Sequence, residues 1–238
     1  MKRKLSNIAH CLSALILVCI VLFSCKSHHD TTNYSPLTYD GIDVSRHQGE
    51  IKWRKVAKNK NIQYVYIKAT EGSTYVDPLY KHNRKKAHKK GIKVGAYHFL
   101  TSSSSIKTQI DNFCRTVKKR KQDIIPMIDV EPGGIKGRWS KATLQKNVAL
   151  MAKTLEYIYG KKPIIYTSMG FYNEYLSPTF DNYPLMIARY SSKRPVLNGN
   201  TGYTIWQYSE NGRVKGINGT VDLSRFSTNR SLKSIKRK

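Results

Sequence analysis

The chain has 238 residues with 39% hydrophobic and 11% aromatic content, enough for one large core and too apolar for a disordered polymer. Lys and Arg number 42 against 15 Asp and Glu, a formal charge of +27 that favours polyanionic neighbours and says nothing about fold. Cys11, Cys19 and Cys25 lie near the N-terminus, so Cys114, left alone, excludes an internal disulfide framework or a thiolate metal cluster.

Met1-Lys2-Arg3-Lys4 and the apolar run 12–23 predict a secretory leader, too short for a comfortable membrane span. It ends in Leu22-Phe23-Ser24-Cys25, which resembles a bacterial lipobox. Residues 1–25 are therefore expected to be a lipoprotein signal peptide, with Cys25 lipidated, and residues 26–38 a flexible tether. That implies an exported, lipid-anchored protein of the cell envelope, in the periplasm or on the outer-membrane surface.

The folded part begins with a strand over 39–45 that ends in polar residues, then a short helix over 51–59 and a strong strand over 62–70. A helix over 78–90 stops at Gly91 and leads to a third strand over 92–99. The helix over 106–119 carries Cys114 as a small core residue. Residues 124–131 form the next strand, and a loop with Pro132-Gly133-Gly134 follows. Leu144, Val148, Met151, Leu155 and Ile158 stripe an amphipathic helix over 140–159, closed by Gly160. A fifth strand over 163–167, a helical piece at 171–175 and strands over 184–190, 203–208 and 219–223 complete the order, with a basic tail over 228–238.

Strand and helix alternate, which argues for parallel strands joined by crossover helices. About eight strands in about 190 residues predict a single α/β domain over 39–227, an irregular, incomplete TIM-like (β/α) barrel. An open doubly wound sheet is the second choice, but the glycine-rich phosphate turn after its first strand is missing. Asp43, Glu71, His98, Asp129 with Glu131, Tyr166, Arg189, Trp206 with Gln207, and Asp222 all fall near strand C-terminal ends. In a barrel those ends share one rim, where active sites are built.

Asp129 and Glu131 are two residues apart, so on a strand they face the same side. Taken alone they suit a turn cap as well as a catalytic pair. With Asp43 and Asp222 they suit glycosidic hydrolysis, which needs a protonated carboxyl at the leaving oxygen and a second group at the anomeric centre. Crowded carboxylates raise one another's pKa and keep such an acid protonated. Tyr97, Tyr166, Trp206 and Tyr208 offer flat faces for sugar rings, or simply core. An oxygen-ligated Mg²⁺ or Ca²⁺ site with His98 is the rival use of the acids. No HxH or HExxH spacing supports it, and no metal or cofactor is expected. A Ser-His-Asp hydrolase lacks its Gly-x-Ser-x-Gly elbow.

Asp43-Val44-Ser45-Arg46-His47-Gln48-Gly49 and Tyr66-Ile67-Lys68-Ala69-Thr70-Glu71-Gly72, with Tyr75 and Asp77, resemble the opening motifs of glycoside hydrolase family 25. Gly95-Ala96-Tyr97-His98-Phe99, Asp129-Val130-Glu131, Ile205-Trp206-Gln207-Tyr208 and Val221-Asp222-Leu223 resemble its later motifs in order, over residues 39–226. The resemblance implies a Chalaropsis-type lysozyme, an N-acetylmuramidase cutting the β-1,4 bond after N-acetylmuramic acid in peptidoglycan on an irregular (β/α) barrel.

It implies Glu131 as general acid, Asp129 as its partner or as the orienter of the substrate N-acetyl group, and Asp43 and Asp222 as the acidic floor. Glu71, Tyr97, His98, Tyr166, Arg189, Trp206 and Gln207 would support or line the saccharide groove. The partners expected are peptidoglycan strands and, through Cys25, a membrane; nucleic acid is not expected, and the chain is expected to be a monomer. An inactive peptidoglycan-binding module and a charge-driven binder of acidic polymers are the alternatives.

Overall fold

The structure is a computed structural model and describes residues 39–237. The expected leader, Cys25 and the tether lie outside the described residues. The described residues form one compact unit.

The chain opens with β1 (Gly41–Val44), a 3₁₀ turn at Arg46–Gln48 and α1 (Trp53–Val56). β2 (Tyr64–Glu71) and β3 (Tyr75–Val76) form a hairpin ahead of α2 (Tyr80–Lys89), β4 (Lys93–Phe99) and α3 (Ile106–Thr116). Then come β5 (Met127–Asp129), α4 (Pro132–Ile135), α5 (Lys141–Tyr159) and β6 (Ile164–Ser168). A one-turn α6 (Met169–Phe171) runs into a π turn at Tyr172–Leu176, followed by β7 (Leu185–Ala188), β8 (Ile205–Gly212), β9 (Val221–Phe226) and α7 (Leu232–Ile235).

Capping explains the long helices. The Ser105 and Ser140 hydroxyls accept from the Thr108 and Thr143 amides to start α3 and α5, and Gly160 ends α5 at φ 81°. The two helices then pack through Phe113 and Tyr159, and the Tyr159 hydroxyl donates to the Val117 carbonyl at 2.7 Å.

The sheet runs β1-β9-β8-β7-β6-β5-β4-β2-β3, and β1 also pairs with β2, so the ring closes. With β3 outside as a hairpin on β2, the nine strands leave eight in a closed barrel. The expected incomplete barrel is thus corrected for its strands. Its irregularity lies in β9, which runs antiparallel to both β1 and β8. The short connection over 213–220 makes this necessary, because so few residues cannot carry a strand back for parallel pairing.

Strand alternation sorts the side chains. Tyr64, Tyr66, Met127, Ile164, Tyr166, Met186 and Ile205 fill the barrel interior, while Val65, Ile67, Ile128, Ile165 and Ile187 pack outward under the helices. The interior tyrosines need glycine neighbours: a Cβ on Gly41 would stand 2.2 Å from the Tyr64 ring, and one on Gly95 2.5 Å from that of Tyr66. The basic segment after 228 is not a free tail in its described part. Ile235 of α7 is fully buried in the interior cluster, and its carbonyl accepts from the Ile125 amide at 2.9 Å.

Candidate active site

At the end of the barrel where the parallel strands finish lies a cavity of about 250 Å³. Asp43, Lys68, Tyr97, Phe99, Asp129, Glu131, Tyr166, Gln207 and Asp222 line it together with residues of the Arg46–Gln48 turn. β9 enters the barrel at this rim because it runs the other way, so Asp222 sits near the start of its strand rather than at the expected C-terminal end. The antiparallel register places Asp222 directly opposite Asp43. β5 ends at Asp129, and Glu131 caps α4 with Pro132 as the first helical residue, so the second acid leaves the strand pointing along the same face.

Burial sets the electrostatics. Asp43 and Asp129 are each only 7% exposed, and Asp43 Oδ1 and Asp129 Oδ1 have no partner within the protein. Desolvation, and then repulsion from Asp222, pushes the Asp43 carboxyl well above the ordinary range. Asp129 is pushed well up by burial first and by Glu131 second. Glu131 is also raised by burial, while the Tyr166 hydroxyl (shared with Gln207) and Lys68 act against that rise. The repulsion between Asp129 and Glu131 acts on both, so the pair titrates as a unit that retains a proton above the usual carboxylate pKa. Asp222 is raised to about 7 by burial, then by Glu210 and Glu131.

Polar side chains hold these acids in place. Gln207 Nε2 donates to Asp43 Oδ2 at 3.2 Å, and Gln207 Oε1 accepts from the Tyr166 hydroxyl at 2.8 Å and the Tyr190 hydroxyl at 2.9 Å. Lys68 sits across the cavity with its Nζ 4.7 Å from the Phe99 ring centroid and 2.6 Å from Glu71 Oε2. Neither Lys68 nor Tyr190 was singled out by sequence reasoning. Lys68 had a signal: it lies two and four residues beyond the inward-facing Tyr66 and Tyr64 on the same strand.

Four expected groove residues lie elsewhere. His98 is fully buried outside the barrel wall, where the Thr70 hydroxyl meets Nδ1 at 2.7 Å and Nε2 meets Gln109 Oε1 at 3.1 Å. Because the Gln109 amide nitrogen donates to the Thr101 and Ser104 carbonyls, its oxygen is the acceptor, and His98 is neutral with the proton on Nε2. Burial takes its pKa down to about 4. Trp206 also points outward, against Tyr208, with its indole donating to the Arg189 carbonyl at 2.8 Å. Arg189 lies beyond the cavity and donates to the Arg194 carbonyl, while Glu71 lines a neighbouring hollow. The cause for His98 and Trp206 is parity: Tyr97 and Gln207 already take the inward positions, so their immediate neighbours face out. Among the described residues, no three His, Cys, Asp or Glu side chains are arranged to hold a metal ion.

A family model for glycosyl hydrolases family 25 matches residues 42–217. The chain belongs to this family. The uncharacterized family relative YegX of Escherichia coli K12 is 39% identical over 194 residues, which cover 80% of this chain and 70% of YegX. The autolytic lysozyme of Clostridium acetobutylicum is 35% identical over 189 residues, covering 79% of this chain and 55% of that one. A family 25 glycosyl hydrolase structure from Bacillus anthracis superposes with a TM-score of 0.72 at 35% identity, covering 80% of this chain and 90% of that one.

Proposed function

We infer that this family 25 chain is a lysozyme, an N-acetylmuramidase that hydrolyses the β-1,4 bond between N-acetylmuramic acid and N-acetylglucosamine in peptidoglycan. The observation that carries the reading is the meeting of Asp43, Asp129, Glu131 and Asp222 in one cavity, the first three within the span that the family model matches. An inactive binding module has no use for four crowded carboxyls, two of them, Asp43 and Asp129, buried at a cost in free energy.

Glu131 is the general acid. It is less buried than Asp129, opens on the cavity, and has its proton affinity raised by desolvation, within a coupled pair with Asp129 that retains a proton. It hands its proton to the glycosidic oxygen as the bond to the anomeric carbon breaks. Asp129 orients the substrate N-acetyl group or tunes Glu131, with which it forms a coupled pair. Asp43 and Asp222 form the floor, where negative charge stabilises the cationic sugar in the transition state. Tyr97 and Tyr166 give the rings an apolar wall, and Gln207 fixes Asp43. The scaffold is read as an irregular relative of the TIM barrel, with its site on the usual rim.

We also propose that the chain is exported, lipidated on Cys25 and held at the cell envelope as a monomer, with 39–227 as the catalytic domain. The support is the motif Leu22-Phe23-Ser24-Cys25 after the apolar run 12–23. Cys25→Ala should move the protein out of the membrane fraction, and an unchanged partition would count against the anchor. For the activity, digestion of purified peptidoglycan should release fragments with new reducing-end muramic acid. New reducing ends on N-acetylglucosamine would reject the muramidase reading.

A further inference from the structure

The end of the barrel opposite the cavity has a charge pattern of its own. Parallel strands begin there, so the loops that lead into β4, β5 and β6 share this end with the segment that follows β9. Lys118, Lys119, Arg120 and Arg237 line a cleft of about 480 Å³ at this end. The surrounding pieces are joined. Lys161 Nζ, from the loop before β6, donates to the Ser234 and Lys236 carbonyls at 2.8 and 3.1 Å. Arg237 Nε donates to the Gln122 carbonyl at 3.1 Å, and Lys119 Nζ lies 3.8 Å from where a Cβ on Gly160 would stand. Lys89, at the end of α2, and Lys90, in the loop before β4, add exposed charge.

The acids at this end do little to neutralise it. The Asp40 carboxylate accepts from the Phe226 amide and from Gln63 Nε2. Asp123 accepts from the Val94 amide and faces His88, and Asp181 accepts from the Tyr172 hydroxyl. Glu156 is half-buried on the penultimate turn of α5. Lys118, Lys119, Arg120 and Lys121 stay exposed in one run.

We propose that this basic end is a docking surface for a membrane bearing anionic phospholipid headgroups. Two observations favour a lipid surface over the glycan. The cations are at the far end from the cavity, so a strand bound for cleavage cannot reach them. The described chain also enters at this end: Asp40, one residue ahead of β1, pairs with Gln63 and Ser224 at the strand starts and strand end gathered here. Docked this way, the carboxylate cavity faces away from the bilayer, towards material outside it. The surface acts through exposed charge and does not depend on the muramidase chemistry; the chain-entry observation rests on the anchor proposed at Cys25, and the charge does not.

The test uses residues 39–238, whose described part forms one compact unit. Co-sedimentation with vesicles of phosphatidylcholine plus phosphatidylglycerol should exceed that with phosphatidylcholine alone and fall as salt rises. Replacing Lys118, Lys119 and Arg120 together by Gln should weaken binding about a hundredfold, from about fivefold per cation near a charged bilayer. Replacing Lys136, Arg138 and Lys193, which lie at the cavity end, should leave it within about threefold. Equal binding to both vesicles, or equal loss from both triples, would overturn the proposal. So would a first triple that loses binding to purified sacculi while keeping its vesicle affinity. Cleavage of soluble muropeptides is measured alongside; docking without cleavage would reject the muramidase reading and leave the docking surface standing.

Discussion

At one end of the barrel Asp43 and Asp129 are each 7% exposed and crowd against Glu131 and Asp222, while at the other Lys118, Lys119 and Arg120 stand in solvent. Both ends gather like charges, but water screens only the second. Buried carboxyls that repel one another keep protons they would otherwise lose, which is the property a general acid needs. Exposed cations keep their charge and act on distant partners through a field that salt weakens. The comparison teaches that burial, rather than the sign or number of charges, separates a chemical site from an electrostatic surface.

The largest expected break in the comparison is Glu131→Gln. It should cut turnover on peptidoglycan by about 10²- to 10⁴-fold while leaving the unfolding midpoint close to that of the wild type. His98→Ala is expected to do the reverse: removing the imidazole strands Thr70 and Gln109 in the core and should cost about 1–3 kcal/mol in denaturant unfolding, with KM unchanged. If KM rose instead, His98 would have a part in the groove after all.

Asp222→Asn sharpens the claim about burial. The folded-state pKa of Asp222 is raised to about 7 from an unfolded value of about 4, so the native state binds the extra proton. Its contribution to stability is full below about pH 4 and is lost as pH rises through about 7. The variant should therefore show a shallower decline in stability across that window; an unchanged slope would count against the buried carboxyl. Asp129→Asn should have the finest effect. Without the partner carboxyl Glu131 titrates alone, raised by burial only, and the alkaline limb of the pH–rate profile should move towards acid.

Much of the fold was legible because strand alternation and crossover helices leave strong patterns. The rim was legible because parallel strands bring their ends together. Ring closure was harder, since it depends on β1 pairing with β9, which is far from it in sequence. The short link between β8 and β9 already required an antiparallel return. The strand expected over 124–131 shrank to Met127–Asp129, because Ile124 bridges to Lys236 and Glu131 has passed into the cap of α4.

Site residues divided along the same lines. Asp43, Asp129, Glu131, Tyr97, Tyr166, Gln207 and Asp222 line the cavity, whereas His98 and Trp206 fell to strand parity that the sequence already contained. Tyr190 had no local signal. It follows β7 in a loop, and only the fold brings its hydroxyl to Gln207.

The central claim is that Glu131 supplies the proton to the leaving oxygen. The measurement that reaches it most directly compares wild type and Glu131→Gln on peptidoglycan and on an aryl glycoside whose leaving group departs without protonation. The variant should lose about 10²-fold or more on peptidoglycan and keep most of its rate on the aryl glycoside. An equal loss on both substrates would contradict the assignment of Glu131 as the proton donor.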